Sequence, residues 1–352
     1  MQKRFTQTFS NNKIVAYLLA VVLLITAMLL AISIGTVSVP IFDIVQIIGA
    51  GIFGFSMEQV DPMYSNIVLN IRLPRVILSG LVGASLAIAG AAFQGLLRNP
   101  LADPYTLGVS SGASVGAVLT LFLNLSIPII GPFTLPFLSI ICSFMTILIV
   151  LLFAQKIDRS MKVETIILTG VIFSSFLSSF ISLMIALTGE ELRQIIGWLL
   201  GSVSMRGWDY IKIMIPFFMI GSLLLLVSTK ELNAMSFGEE RAQHLGVNVQ
   251  RRKLLVLTAG SILTGAAVAV SGAIGFVGLV IPHLTRLLWG PDHRHLLPLS
   301  ILTGSGFLIL ADLTARTIIS PTELPIGVIT SLIGAPVFAI ILMRSKRKER
   351  GR

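Results

Sequence analysis

Charged residues are scarce in this chain of 352 residues. They make up 12% of it, while 55% of the residues are hydrophobic and the mean hydropathy is +0.92. This composition excludes an ordinary soluble domain and predicts an all-α protein that crosses a membrane several times. Cysteine occurs once, as Cys142 in an apolar run, which excludes an intrachain disulfide.

Motifs of enzymes are missing as well. The sequence contains no GxxxxGK[ST] phosphate loop and no HExxH, CxxC or GxSxG pattern. No cysteine or carboxylate cluster accompanies His283, His293 or His295, and we interpret all three as loop or packing residues. We therefore expect no catalytic residue and no metal site. Without a phosphate loop, the chain has no motif for using ATP itself. If it transports a solute, the free energy must come from an ion gradient or from a separate ATPase.

Acidic residues within apolar runs are also few, and Asp312 is the clear candidate. Ion-coupled carriers place such residues in mid-membrane. Asp312 lies four residues before Arg316, and this helical spacing favours a neutralising ion pair over a proton site. Energy supplied by a separate ATPase is therefore the favoured interpretation, and an ion-coupled secondary carrier that uses Asp312 is the alternative.

The apolar runs predict about ten transmembrane helices. The first is long enough to be a retained span rather than a signal peptide. If the chain starts inside, twenty of the 26 lysines and arginines lie on the inner side, which predicts cytoplasmic termini and explains the net charge of +10 without nucleic-acid binding. The spans are near 14–34, 65–97, 107–126, 129–154, 163–187, 211–229, 254–273, 275–289, 297–319 and 326–343.

An internal repeat links residues 81–100 to residues 263–282. Eight of the twenty aligned positions are identical without a gap, and they include glycines and a final proline. The predicted topology inverts the second copy relative to the first. Inverted repeats are typical of transporters that open alternately to either side.

Two polar breaks interrupt the spans. The first is a proline-rich break that is followed by the run GVSSGASVG. Non-helical backbone at membrane depth is tolerated only where it lines a cavity or is buried in protein. We expect translocation-path residues there: Gly108, Ser110, Ser111, Gly112 and Ser114. The second break, residues 189–209, predicts an outer interfacial helix anchored by Trp198 and Trp208.

Polar residues also concentrate between residues 230 and 253. The spacing predicts a short amphipathic helix that ends at Gly246 and forms a cytoplasmic handle on the membrane body. On the outer side, Arg72, Arg75 and Arg316 stand at the ends of spans. They favour either docking of an acidic partner or snorkelling anchors, and both interpretations stay open at this level.

Together, several motifs resemble the FecCD/BtuC-like permeases of ABC transporters, which import iron–siderophores, haem and cobalamin. The resemblance covers nearly the whole chain after Asn70. The motifs are RLPR at 72–75, GLLRNPLADPYTLGVSSGASVG at 95–116, GEERAQHLGV at 238–247, SGAIGFVGLVIPHLTR at 271–286, DHR at 292–294 and ELPIGVITSLIGAPVF at 323–338.

The resemblance implies one transmembrane permease domain over residues 1–352, located in the bacterial cytoplasmic membrane among its lipids. The implied partners are a second, identical or related permease, two ATP-binding subunits inside and a substrate-binding protein outside. No cofactor is expected in this chain, because ATP is bound by the partner. The implied cargo is an iron–siderophore-type chelate, with cobalamin or haem as alternatives.

The resemblance also assigns roles to residues. It implies binding-protein docking at Arg72, Arg75 and Arg316. It implies ATPase coupling by a segment over residues 231–250, with contact positions Gly238, Glu239, Glu240, Ala242, Leu245, Gly246 and Val247.

Overall fold

The computed structural model describes residues 12–53 and 61–350, and the regular structure in these stretches is helical, as predicted. Lys3 and Arg4, which contribute to the predicted charge bias, lie outside the described residues. The helices are α1 Lys13–Ser33, α2 Ile41–Phe53, α3 Pro62–Leu96, α4 Val109–Phe122, α5 Thr134–Ile157, α6 Val163–Leu187, α7 Leu192–Leu199, α8 Trp208–Val227, α9 Thr229–Ser236, α10 Glu239–His244, α11 Val249–Ser271, α12 Val277–Trp289, α13 His293–Thr317 and α14 Ile326–Arg350.

Seven of these helices are long and apolar enough to cross a membrane: α1, α3, α5, α6, α8, α11 and α13. The other three predicted spans coincide with shorter helices, namely α4, α12 and the apolar part of α14. The 14 residues of α4 extend for about 21 Å, which is less than the ~30 Å hydrocarbon core. The total of ten spans and the cytoplasmic position of both termini therefore stay predictions.

The sequence did not predict α2. Its 13 residues are too few for a span, and the chain enters it directly after Pro40. The helix exists because Ile44 and Ile47 are fully buried against α1 and the start of α3. Tertiary packing thus stabilises a helix whose length alone gives no membrane signal.

Small residues bring three helices close to α3, two of them against its backbone. Gly83 of α3 faces Gly304 of α13, and Gly90 faces Gly278 of α12 so closely that an added Cβ would overlap a backbone oxygen. A Cβ on Gly260 of α11 would overlap an aromatic ring of α3. Close backbone approach increases van der Waals contact, which drives helix association in a bilayer. α3 therefore packs tightly against α11, α12 and α13.

The connecting stretch before α4 contacts the connecting stretch before α12 through Tyr105. Its hydroxyl accepts a hydrogen bond from the Ile274 N–H at 2.8 Å and donates one to the Ile274 carbonyl at 2.9 Å. Asp103 starts the turn that presents Tyr105 by accepting a bond from the Tyr105 N–H. Backbone groups released by a broken helix need partners away from water, and one side chain satisfies two of them.

A long helix, a short helix and two long helices follow one another twice along the chain. α3 to α6 contain 35, 14, 24 and 25 residues, and α11 to α14 contain 23, 13, 25 and 25. The ungapped sequence match holds only at first, because Gly90 lies inside α3 whereas its counterpart Gly272 ends α11 with a φ of 72°. The predicted residue-by-residue equivalence is therefore wrong beyond Ser271. The inverted orientation of the copies stays a prediction.

The predicted helix in the second break is present as α7. Its Trp198 is 8% exposed and packs against Ala113, Ala117 and Val268. The prediction that this tryptophan anchors the chain at a membrane surface is therefore wrong. Trp208 is 39% exposed at the start of α8.

Candidate functional site

The polar passage between α8 and α11 forms α9 and α10. The predicted amphipathic helix is α10, which follows Gly238 with a φ of 117° and precedes Gly246 with a φ of 83°. Left-handed backbone favours glycine, so both glycines fix the ends of the helix. Ala242 is fully buried, while the side chains of Glu240 and His244 are exposed.

Apolar side chains are exposed on both sides of α10. Phe237 is 66% exposed and Leu245 is 71% exposed. No atom lies within 4 Å of a Cβ built on Gly246, whereas Val247 packs partly against the core. Exposed apolar groups beside a charged helix are typical of protein–protein contact surfaces.

Hydrogen bonds fasten α9 to the start of α13. The Asn233 amide donates to the Asp292 carboxylate at 2.7 Å and accepts from the His293 N–H at 2.9 Å. The structure places His293 and His295 in the first turn of α13 and not in a loop, and the burial of His293 agrees with the packing interpretation. His293 is 3% exposed, so these hydrogen bonds between α9 and α13 lie in the protein interior.

The predicted docking arginines lie at the opposite end of α3 from this polar passage. Arg72 stands near the start of α3, whereas Arg98, just beyond its end, lies 3.8 Å from a Cβ built on Gly238. The 24 residues of α3 from Leu73 to Leu96 extend for about 36 Å. The two candidate surfaces are therefore separated by roughly the thickness of a bilayer.

Two of the outer arginines bind the end of α1. Arg72 is 5% exposed and donates hydrogen bonds to the carbonyls of Ile32, Ser33 and Val37. Arg316 donates to the carbonyl of Ala31. The last carbonyls of a helix have no partner within the helix and carry partial negative charge, so guanidinium groups stabilise them.

Arg75 joins three segments of the chain. It donates to both carboxylate oxygens of Asp312 at 2.8–3.1 Å and of Glu323 at 2.8–3.0 Å. Asp312 is therefore paired with Arg75, and the predicted pairing with Arg316 four residues away is wrong. The hydrogen bonds from Arg75 lower the pKa of Glu323. All three arginines are bonded within the chain, and their role in docking stays a prediction.

The predicted path residues lie inside the helix bundle. Gly108, Ser110, Gly112 and Ser114 are buried, and Ser111 is partly buried. A Cβ on Gly112 would overlap the Thr146 hydroxyl of α5. The small residues of this run allow α4 to approach α5 closely, and their role in translocation stays a prediction.

An exposed row of serines on α6 escaped the sequence analysis. Ser175, Ser178, Ser179 and Ser182 are exposed, and their spacing places them on one face of the helix. Two of the hydroxyls donate to carbonyls of their own helix, Ser179 to Ser175 and Ser182 to Ser178. The spacing was visible in the sequence, but the apolar residues between the serines concealed it.

Long apolar helices, two polar ends and a close-packed interior define a multi-pass membrane protein. Residues 23–344 match the model of the FecCD transport family, so the chain belongs to this family. It is a permease subunit of an ABC importer, and the bacterial relatives place it in the membrane. Its relatives are transport permeases and not enzymes.

Three similar proteins illustrate the family. The chain is 61% identical over 351 residues to the ABC transporter permease protein YvrB of Bacillus subtilis, covering 99% of each chain. It is 45% identical over 276 residues to the cobalamin import permease BtuC of Halobacterium salinarum, covering 78% of this chain and 73% of that protein. A solved metal-chelate type ABC transporter in an inward-facing conformation matches with a TM-score of 0.80 at 34% identity, covering 92% and 97% of the two chains.

Proposed function

We propose that the chain carries an iron–siderophore-type metal chelate across the bacterial cytoplasmic membrane by alternating access. Its whole length acts as one permease domain beside a second, identical or related, permease. Two ATP-binding subunits drive the cycle from inside, and a binding protein delivers the chelate from outside. ATP is bound by the partners, and this chain needs no cofactor.

The placement of α10 is the observation that best supports this proposal. It is a short helix outside the long helices, bounded by left-handed glycines and flanked by exposed Phe237 and Leu245. It is also fastened to the bundle, since Glu239 bonds to Lys253 of α11. An ATP-binding subunit that contacts residues 231–250 can therefore pull on the membrane helices.

The serine row on α6 supports a path shared with a second permease. Hydroxyl groups on a membrane helix are more stable against protein or water than against lipid. Phe176 and Phe180 are exposed between the serines. A surface of alternating hydroxyl and aromatic groups suits a translocation path, because it offers a bulky chelate no tight binding site.

The similarity to a metal-chelate type transporter supports a metal chelate as cargo. Cobalamin is the second candidate, favoured by the 45% identity to a cobalamin import permease, and haem is a further one. All three candidates are large metal complexes, so the same permease path suits any of them. We expect ligand choice to rest with the binding protein.

The test reconstitutes the permease with partner ATP-binding subunits and a partner binding protein. Proteoliposomes are supplied in turn with a ferric hydroxamate siderophore, a ferric catecholate siderophore, cyanocobalamin and haemin. We expect ATP-dependent uptake of a ferric siderophore. ATP-dependent uptake of cobalamin or haemin alone would change the ligand, whereas uptake driven by a proton gradient without the ATP-binding subunits would overturn the ABC mechanism. The pairing of Asp312 with Arg75 argues against such a carrier.

Gly246→Arg is expected to abolish uptake while the permease stays folded in the membrane. The position has open space, so the new side chain obstructs the partner rather than the bundle. Glu240→Ala, on the exposed side of α10, is expected to have the same effect. ATP-dependent uptake and the amount of permease in the membrane are measured together.

Gly246→Ala is the matched control, because it adds the left-handed strain of roughly 1 kcal/mol without the bulk. It is expected to retain most of the uptake. Uptake at the wild-type rate by Gly246→Arg would remove α10 from the coupling role.

We also propose that the binding protein docks on the outer end around Arg72, Arg75 and Arg316, through carboxylates that compete with Glu323 for Arg75. Glu323→Gln is therefore expected to tighten docking by about fivefold, or ~1 kcal/mol. Asp312 keeps its bonds to Arg75 in this variant. Binding of the purified binding protein to the permease in nanodiscs gives the dissociation constant.

Asp209→Asn is the control for docking, because it removes the same charge from an exposed pair at the start of α8. Its dissociation constant is expected to stay at the wild-type value. Equal affinities in wild type and Glu323→Gln would exclude Arg75 as a docking residue.

A further inference from the structure

Lys253 brings together three segments that are distant along the chain. Its side chain is 1% exposed, and its Nζ lies 2.7 Å from the carboxylate of Glu239 and 2.9 Å from the carbonyl oxygen of Met161. Lys253 belongs to α11, Glu239 begins α10, and Met161 lies in the turn between α5 and α6. One ammonium group therefore binds α10, α11 and this turn at the same point.

The ion pair of the neighbouring Arg252 differs from that of Lys253 in its exposure to solvent. Arg252 pairs with Glu231 at 2.7 Å, and the two side chains are 33% and 22% exposed. A partly exposed pair of this kind contributes little to stability. A buried lysine, in contrast, requires a paired charge and further acceptors. Glu239 supplies the charge and Met161 supplies a further acceptor.

A second bond fastens the turn to α11. The side-chain amide of Gln250 donates to the carbonyl of Arg159 at 2.9 Å. Within the turn, the Asp158 carboxylate accepts bonds from the N–H groups of Ser160 and Lys162. A turn with its own hydrogen bonds moves as a unit, and α6 begins directly after it at Val163.

These contacts form a continuous connection from α10 to the serine row. α10 is bonded to Lys253, Lys253 is bonded to the turn at residues 158–162, and the turn starts the helix that carries Ser175 and Ser182. Ile166, one turn into α6, is fully buried in the same apolar cluster as Met161 and Ala242. Packed side chains and hydrogen bonds are the physical means by which such coupling travels.

We propose that Lys253 is a positioning residue that makes α10, the start of α11 and the turn at residues 158–162 move together, so that movement of α10 reaches α6 directly. This inference rests on the proposed role of α10 as the segment driven by the ATP-binding subunits. Without Lys253, α10 retains its covalent link to α11 and its apolar packing, and loses its hydrogen-bonded link to the turn that starts α6.

The test uses the permease assembled with its ATP-binding subunits in nanodiscs, in a Cys142→Ser background. Spin labels on cysteines at exposed Ser160 and His244 report the separation of the turn from α10. A second label pair, at His244 and exposed Leu287 of α12, reports movement of α10 against the bundle. In the wild type, ATP is expected to change the second distance and leave the first unchanged.

Lys253→Met is expected to make the Ser160–His244 distance change with ATP as well. In the complete transporter, uptake of a ferric siderophore per ATP hydrolysed is expected to fall about tenfold, a coupling of ~1.4 kcal/mol. Lys253→Arg is expected to preserve the fixed distance. Glu239→Gln serves as the second variant should Lys253→Met fail to fold.

Arg252→Met is the matched control, one residue away and also in an ion pair, and it is expected to behave like the wild type. A fixed Ser160–His244 distance in Lys253→Met or Glu239→Gln would overturn the inference and leave the proposed function intact. An equal ATP-dependent change of the Ser160–His244 distance in Arg252→Met would also overturn the inference. An unchanged His244–Leu287 distance in the wild type would instead refute the coupling role of α10, and the inference with it.

Discussion

Arg75→Glu is expected to lower the melting temperature of the permease by about 5 °C or to prevent its folding. The substitution leaves the Asp312 side chain, which is 1% exposed, without its cation and adds a third carboxylate next to Glu323. Breaking a buried ion pair by removing one partner costs about 3–5 kcal/mol, a large part of the 5–15 kcal/mol by which proteins are stable. Such a loss corresponds to a shift of roughly 4–7 °C in a chain of this size.

Thermal unfolding of the detergent-solubilised permease, followed by size-exclusion chromatography, measures this effect. Lys212→Glu is the control, because its exposed pair with Asp209 leaves 75% of the lysine side chain accessible. The double variant Arg75→Met with Asp312→Leu is expected to recover most of the lost stability, since it removes both charges. Wild-type stability of Arg75→Glu would show that the pair with Asp312 is not structural.

This expectation changes how docking at Arg75 can be tested. Charge reversal at Arg72 or Arg75 would weaken docking whether or not these residues touch the binding protein, because both hold the bundle together. Glu323→Gln avoids this difficulty, since it removes a carboxylate that is 38% exposed. A gain of affinity is also harder to produce by misfolding than a loss.

Gly90→Ala is expected to be the most disruptive single-methyl change in α3. The added Cβ would overlap the backbone of Gly278 in α12, and backbone cannot rotate away as a side chain can. Overpacking typically costs 1–3 kcal/mol and occasionally more, so we expect about 3 kcal/mol and a melting temperature roughly 4 °C lower. Thermal unfolding in detergent again gives the value.

Gly80→Ala provides the comparison on the same helix. Its Cβ would meet the Ile309 Cδ1 at 3.4 Å, which is ordinary contact, so little change is expected. Equal stabilities of the two variants would mean that α3 and α12 are not in close backbone contact at Gly90.

Much of the fold could be predicted because its signals are local. Apolar runs indicate the long helices, and the glycine that follows α10 marks its end. α2 was missed because its burial depends on residues of α1 and α3, which no local pattern reveals.

The electrostatic contacts could not be predicted for the same reason. Arg75 and Asp312 are 237 positions apart, whereas helical spacing brings only neighbours such as Asp312 and Arg316 into consideration. Lys253 likewise bonds to Met161 across 92 positions. A sequence identifies which charges are available, but the tertiary packing determines which of them meet.

The predicted path residues illustrate a further limit. Small residues such as Gly112 indicate that another group comes close, without identifying it as a solute or a helix. In this chain the neighbour is Thr146 of α5. The exposed serines of α6 were identified only when the structure showed which helix faces remain uncovered.

The serine hydroxyls also affect how a solute would interact with α6. The hydroxyls of Ser179 and Ser182 donate hydrogen bonds to carbonyls of their own helix, so each oxygen presents lone pairs outward and no free donor. A chelate whose periphery consists mainly of oxygen acceptors finds no complementary donor on these two residues. If the proposed path runs along α6, these two residues would form no hydrogen bond with an oxygen-rich solute, and the solute would pass them without being held.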